Sequence, residues 1–160
     1  MATSRNTNQE RDVEERISVL GVVPPAHGVE IESILSHTRW NLHLVHSIED
    51  AVQAIRSLPA SVILCERRLS DGTWMDLFEA TTELWPRPQI VVLSADADMQ
   101  RWAEILNCGG YDLLARPLRP SEIYDVVPMA WRQSKEAAGR TPALAGQASR
   151  RALIETRLYV

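Results

Sequence analysis

Cysteine pairs and long apolar runs are nearly absent from this sequence. Its 160 residues include only Cys65 and Cys108, both in apolar segments, so we expect no disulfide framework and infer a reducing, cytoplasmic environment. No segment approaches the roughly 18 consecutive apolar residues of a membrane-spanning helix. Residues 1–15 are polar and lack the apolar core of a secretory signal. We therefore expect a protein that does not insert into membranes.

An excess of positive charge and a glycine-rich phosphate loop are also missing. The formal net charge is −4, which gives no broad electrostatic reason to expect nucleic-acid or anionic-membrane binding. Gly21 and Gly28 do not form the G-x-G-x-x-G spacing of a dinucleotide-binding loop. The four histidines show no metal-ligand spacing on one helix face, so neither a metal nor another cofactor is expected.

The sequence does contain a regular alternation of short apolar segments and amphipathic segments. The connection after each apolar segment has the length of a helix, which favours a parallel sheet with helices on both faces. Residues 67–73 are polar and are predicted to form a loop. The predicted strands are 17–23, 40–45, 61–65, 89–93 and 113–115, and the predicted helices are 29–37, 48–58, 74–84, 94–107 and 120–131.

The same pattern divides the chain into three parts. Residues 1–15 are predicted to be a disordered lead-in, and residues 16–135 form the α/β domain. Residues 136–160 form a tail that is flexible or contains a short helix. Pro128 lies inside the last predicted helix, so we expect a kink or an early break there.

In an open parallel sheet, functional side chains collect at the carboxyl ends of the strands. Ser94–Ala95 ends the fourth predicted strand, Arg116–Pro117 ends the fifth, and Glu66 ends the third. In order and spacing these residues resemble the Thr/Ser-Ala, Lys-Pro and phosphoacceptor positions of a response-regulator receiver domain. The resemblance implies an α/β, flavodoxin-like, doubly wound (βα)5 fold with a five-stranded parallel sheet in the order 2-1-3-4-5, and a role in two-component signal transduction.

The departures from the receiver pattern fall on the residues that bind and transfer the phosphoryl group. Receivers carry an acidic pair after the first strand that holds Mg²⁺, which requires oxygen ligands, whereas Val22–Pro25 offers no carboxylate. Glu66 stands in place of the nucleophilic aspartate, and Arg116 in place of the lysine. Ser70 replaces a proline, and Leu113 occupies the aromatic switch position. Because phosphoryl transfer depends on positioning and on metal neutralisation of charge, we expect neither phosphorylation nor enzymatic activity.

Several candidate site residues have two interpretations. Glu66 is either a permanent stand-in for an aspartyl phosphate or an ordinary exposed carboxylate. In the first case Arg116 should pair with it, because a guanidinium can grip a carboxylate with two donors; an exposed pair would contribute only about 0–1 kcal/mol. Ser94 is interpreted as a helix N-cap rather than a catalytic hydroxyl, and Cys65 as a buried strand residue rather than a reactive thiol.

The face formed by the fourth helix, the fifth strand and the fifth helix is the candidate interface. Tryptophan is enriched at binding hot spots, although mixed charge is also typical of an ordinary solvated surface. We predict a weak homodimer or a contact with another protein on this face. Its candidate residues are Asp98, Arg101, Trp102, Arg119, Glu122 and Arg132.

Three classes of function are compatible with these patterns. The first is a receiver-like signalling module that binds a protein partner, or a second copy of itself, without phosphorylation. The second is a receiver phosphorylated at another residue such as Asp71, which would need a metal site that the sequence does not reveal. The third is a small flavodoxin-like enzyme or ligand-binding domain, although the strand ends offer no recognisable nucleophile–base pair.

Overall fold

The computed structural model describes residues 16–58 and 60–139, in which strands and helices alternate as predicted. The predicted lead-in and most of the predicted tail lie outside the described residues. In chain order the elements are β1 (Ser18–Val22), α1 (Pro25–Leu35), β2 (Asn41–Val45), α2 (Ile48–Ser57), β3 (Val62–Glu66), β4 (Arg68–Leu69), β5 (Gly72–Thr73), α3 (Trp74–Thr81), β6 (Gln89–Ser94), α4 (Met99–Asn107), β7 (Asp112–Ala115) and α5 (Pro120–Ala138).

Five of the strands form one parallel sheet in the order β2-β1-β3-β6-β7. Counted along this sheet, the order is 2-1-3-4-5, so the predicted doubly wound fold is confirmed. All four neighbouring pairs are parallel, and the register places Glu66 opposite Leu93 and Ser94 opposite Ala115. The carboxyl ends of β3, β6 and β7 therefore lie side by side at one edge of the sheet.

Helices cover both faces of the sheet, and successive side chains on a strand point to opposite faces. On β3, Leu64 belongs to the core cluster under α1 and α5, whereas Ile63 belongs to the cluster under α2, α3 and α4. Both side chains are fully buried. This two-sided burial explains why the central strands read as continuous apolar runs rather than as an alternating pattern.

The structure differs from the sequence prediction in several elements, among them α1, which begins at Pro25 rather than at residue 29. The predicted loop 67–73 contains the short antiparallel pair β4–β5. The fourth helix begins at Met99, not at Ser94. The last helix continues through Pro128 to Ala138, so the expected early break is wrong. Buried residues lie on both sides of the proline in α5, and this packing holds the helix together despite the lost backbone hydrogen bond.

No helix in the described part of the chain is both long enough and apolar enough to cross a membrane.

Candidate signalling site at the carboxyl edge of the sheet

The predicted contact between Glu66 and Arg116 is present. The Arg116 Nε lies 3.0 Å from Glu66 Oε1, and the Arg116 Nη2 lies 2.7 Å from Glu66 Oε2. Two guanidinium nitrogens therefore donate to the two oxygens of one carboxylate, in the bidentate geometry that gives arginine its selectivity for carboxylates. The pair connects the end of β3 to the residue that follows β7.

A second carboxylate, from α1, completes the site. The Arg116 Nη1 donates to Glu30 Oε2 over 2.6 Å. Glu30 lies within the predicted helix 29–37, but no local sequence pattern relates it to Arg116, which follows 86 positions later. One guanidinium thus lies between two carboxylates, at the edge where a receiver would hold its phosphoryl group.

The ion pair is largely buried, which corrects the expectation of an exposed contact. The Arg116 and Glu66 side chains are each only 12 % exposed, and Glu30 is 37 % exposed. Burial by itself lowers the pKa of the Arg116 guanidinium, but the hydrogen bonds and charges of Glu66 and Glu30 outweigh it, so the pKa is raised. Arg116 is a permanent cation held by two carboxylates.

His27, also on α1, borders the same pocket. Its Nδ1 lies 3.8 Å from Glu66 Oε2, which is too long for a hydrogen bond. The Nδ1 atom is buried and has no hydrogen-bond partner among the described residues. No pattern in the sequence indicates this placement of His27.

The Ser94 hydroxyl is held by a second arginine instead of capping a helix. It accepts hydrogen bonds from Arg67 Nε (3.3 Å) and from the backbone N–H of Asp96 (3.1 Å). Asp98 is the N-cap of α4 and accepts from the Arg101 N–H over 2.7 Å, so the interpretation of Ser94 as N-cap is wrong. Ser94 is the last residue of β6, one position beyond the predicted strand end, and it is buried.

Asp71, the alternative phosphoacceptor, caps a helix. Its two carboxylate oxygens accept the backbone N–H groups of Ile48 (2.9 Å) and Glu49 (3.0 Å), at the start of α2. These two hydrogen bonds lower the pKa of Asp71. The carboxylate is thus committed to the N-terminus of α2 and is not part of the Glu66–Arg116 pocket.

The residues at this edge do not fit the Mg²⁺ ion that an acidic receiver pocket holds. Val22–Pro25 supplies no carboxylate, and both nearby carboxylates, Glu30 and Glu66, bind Arg116. Within residues 16–58 and 60–139, no group of three possible His, Cys, Asp or Glu ligands is gathered at one point. The donor set suits a guanidinium rather than a hydrated divalent cation.

The remaining predicted site residues surround this pocket without joining it. Ala95 and Pro117 are exposed on the loops that follow β6 and β7. Leu113, at the aromatic switch position, is buried in the core. Cys65 is fully buried, and burial raises the pKa of its thiol, as expected for an inert strand cysteine.

The predicted interface residues lie on α4 and α5 or at the starts of these helices, and three of the six line the groove between them. Trp102 is 40 % exposed, and its Nε1 donates to Asp112 Oδ1 over 3.0 Å. Arg101 forms an exposed pair with Glu104 over 3.2 Å, one turn along α4. Arg119 stands at the N-cap position of α5, and Asp98, Trp102 and Glu122 line a groove between α4 and α5.

Comparison with known proteins agrees with this geometry. No protein-family model matches the chain. The transcriptional regulatory protein ZraR of Salmonella typhimurium is 21 % identical over 118 residues, which cover 74 % of this chain and 27 % of ZraR. The response regulator protein PilR of Pseudomonas aeruginosa is 20 % identical over 112 residues, which cover 70 % of this chain and 25 % of PilR.

A solved receiver structure shows the same fold. The CheY-like response regulator receiver domain protein of Methanospirillum hungatei matches 76 % of this chain and 98 % of its own, with a TM-score of 0.67 and 15 % identity. This chain has the fold of a response-regulator receiver domain and is similar in sequence to response regulators. It spans about a quarter of the length of ZraR and PilR.

Proposed function

We propose that this receiver domain signals by binding a protein partner without being phosphorylated. The observation that carries the proposal is the guanidinium of Arg116, which donates to Glu66 and Glu30 at once. An anion and its cationic partner are thus already in contact where a phosphoryl group and a lysine would otherwise meet. As proposed, the domain is not an enzyme, uses no cofactor, binds neither nucleic acid nor membrane, and acts in the cytoplasm.

The second support is the fixed position of Ser94. In a phosphorylated receiver, the hydroxyl at this position would have to turn towards the phosphoryl group. Here it is occupied by the Arg67 Nε and the Asp96 backbone, and the Arg67 side chain is only 17 % exposed. Both ends of the switch, the acidic position and the hydroxyl, therefore have partners within the protein, which favours one fixed conformation.

Phosphorylation at Asp71 has less support. A nucleophilic carboxylate must be free to attack, whereas both Asp71 oxygens accept backbone N–H groups of α2. Attack would break two charge-assisted hydrogen bonds at a helix N-terminus.

Intact mass after incubation with Mg²⁺ and a small phosphodonor tests the first half of the proposal. We expect no phosphorylated species from the wild type, and none from Glu66→Asp, because Arg116 and the missing acidic pair remain. An active receiver treated in parallel confirms that the donor is competent. A phosphorylated wild-type species would overturn the proposal, and digestion would show whether Asp71 carries the group.

Partner capture from the native host tests the second half. If the Glu66–Arg116 contact maintains the binding conformation, Glu66→Gln should capture less of the partner than the wild type does. Glu83→Gln is the matched control, because Glu83 is exposed after the end of α3 and belongs neither to the pocket nor to the candidate interface. Equal capture by Glu66→Gln and the wild type would reduce Glu66 to a structural carboxylate.

A further inference from the structure

A groove of about 750 Å³ lies between α4 and α5, over strand β7. Three large apolar side chains on its walls are exposed: Met99 at 79 %, Met129 at 57 % and Trp102 at 40 %. Trp102 is fixed in place by its hydrogen bond to Asp112. Exposed apolar side chains gathered in one concave region are typical of a surface that binds another chain segment.

The floor of this groove is the open edge of the sheet. Strand β7 pairs with β6 on one side, and in the described part of the chain it has no neighbour on the other. Backbone groups along such an edge can hydrogen-bond an added extended segment. The whole of β7 lines the groove. The site is therefore shaped for an extended chain with apolar side chains on one of its faces.

The charged residues of the groove are all acidic. No lysine or arginine is among the residues that line it, all of which lie in the described part of the chain. A ligand with several positive charges would therefore be favoured. The acidic residues are Asp98, Asp112, Glu122 and Asp125.

A segment of the same chain, outside the described residues, has the matching chemistry. Residues 140–160 contain four arginines and one glutamate. Residues 150–160 combine three arginines with six apolar residues, so this segment offers both positive charge and apolar side chains to the groove. The apolar residues are Ala152, Leu153, Ile154, Leu158, Tyr159 and Val160.

The connection is long enough for this segment to reach the groove. From Met129, in the groove wall, to Ala138 at the end of α5, the helix rises about 14 Å. Residues 140–149 can span at most about 33–36 Å. A tethered segment also binds at a high effective concentration, so that a short contact can be populated within one molecule.

We infer that residues 150–160 bind the groove of their own chain, next to the open edge of β7. The segment then covers the face between α4 and α5, and a protein partner using that face must displace it. This inference is independent of the proposed function, because it depends on the groove and on the charge of the segment rather than on the Glu66 pocket.

Hydrogen exchange of the full chain, read by mass spectrometry, tests the inference. We expect peptides covering residues 111–116 and 150–160 to exchange at least about tenfold more slowly in the wild type than in Arg151→Glu/Arg157→Glu. Arg39→Glu/Arg56→Glu makes the same charge change at exposed positions away from the groove and should leave both peptides protected. Adding Glu122→Arg/Asp125→Arg to the Arg151/Arg157 variant should restore protection.

Three results would overturn the inference. The first is rapid exchange of residues 150–160 in the wild type. The second is unchanged protection in Arg151→Glu/Arg157→Glu. The third is protection that grows with protein concentration and accompanies a dimer in sedimentation, which would assign the groove to a second copy of the chain. Protection that is independent of concentration, lost on charge reversal and restored by the charge swap supports binding in the same chain.

Discussion

Replacing Arg116 with methionine isolates the charge at the centre of the pocket. Methionine keeps much of the apolar stem but leaves Glu66 and Glu30 without their shared donor. Breaking a fully buried pair typically costs about 3–5 kcal/mol, and an exposed pair contributes about 0–1 kcal/mol. Because the Arg116 and Glu66 side chains are each 12 % exposed, we expect the free energy of unfolding to fall by about 2–3 kcal/mol, near the buried case.

Urea unfolding at neutral pH measures this loss, and thermal unfolding should show a fall in Tm of about 8–12 °C for a domain of this size. A double-mutant cycle with Glu66→Gln then separates the pair from its surroundings. Part of the Arg116→Met penalty comes from the unpaired carboxylate, so the double variant should lose about 1–2 kcal/mol less than the sum of the single losses.

The matched control is Arg101→Met. Arg101 pairs with Glu104 over 3.2 Å, but these side chains are 33 % and 51 % exposed. Its loss should not exceed about 0.5 kcal/mol. If Arg116→Met costs as little as Arg101→Met, or if the cycle is additive, then the three-residue contact does not hold the pocket together and the argument for a fixed conformation loses its basis.

Three further predictions concern other parts of the domain. In the native state a thiol reagent should modify exposed Cys108 but not Cys65, whose thiol pKa is raised by burial, and both should react in urea. Gly109→Ala should cost at least about 1–2 kcal/mol in urea unfolding, because Gly109 has φ +103°, whereas Gly139→Ala, at negative φ, should be nearly neutral. Hydrogen bonds to the N-terminus of α2 lower the folded-state pKa of Asp71, so its contribution to stability is present above about pH 4 and is lost as the pH falls through the folded pKa. The free energy of unfolding of Asp71→Asn should therefore decline less steeply with acid than that of the wild type.

The fold could be predicted because its signals are local. Central strands buried on both faces give uninterrupted apolar runs, as in β3 and β6, and the helices between them show one apolar face. Strand ends then place Glu66 and Arg116 at the same edge. The contact between them could be predicted from the length and opposite charge of the two side chains, because the carboxyl ends of parallel strands lie at the same edge of the sheet.

The parts that could not be predicted depend on contacts between distant segments. Glu30 falls in a predicted helix, yet its role depends on where α1 lies relative to the end of β7. The sequence alone does not identify the α4 cap, because Ser94 and Asp98 are both good capping residues. Ser94 is buried at the end of β6, and Asp98 therefore caps the helix. Helix α5 continues past Pro128 because tertiary packing outweighs the local penalty.

The three-residue contact also has a consequence for the order of folding. Arg116 binds residues 50 and 86 positions earlier in the chain. Contacts of such long sequence separation form only after the intervening loops have closed. We therefore expect this contact to be absent from the folding transition state, so that Arg116→Met accelerates unfolding and leaves the refolding rate nearly unchanged. Arg116 stands at the position of the lysine that contacts the phosphoryl group in a phosphorylated receiver. Its contact with Glu66 and Glu30 is then expected to form late in folding, so that it lengthens the lifetime of the folded domain and has little effect on the folding rate.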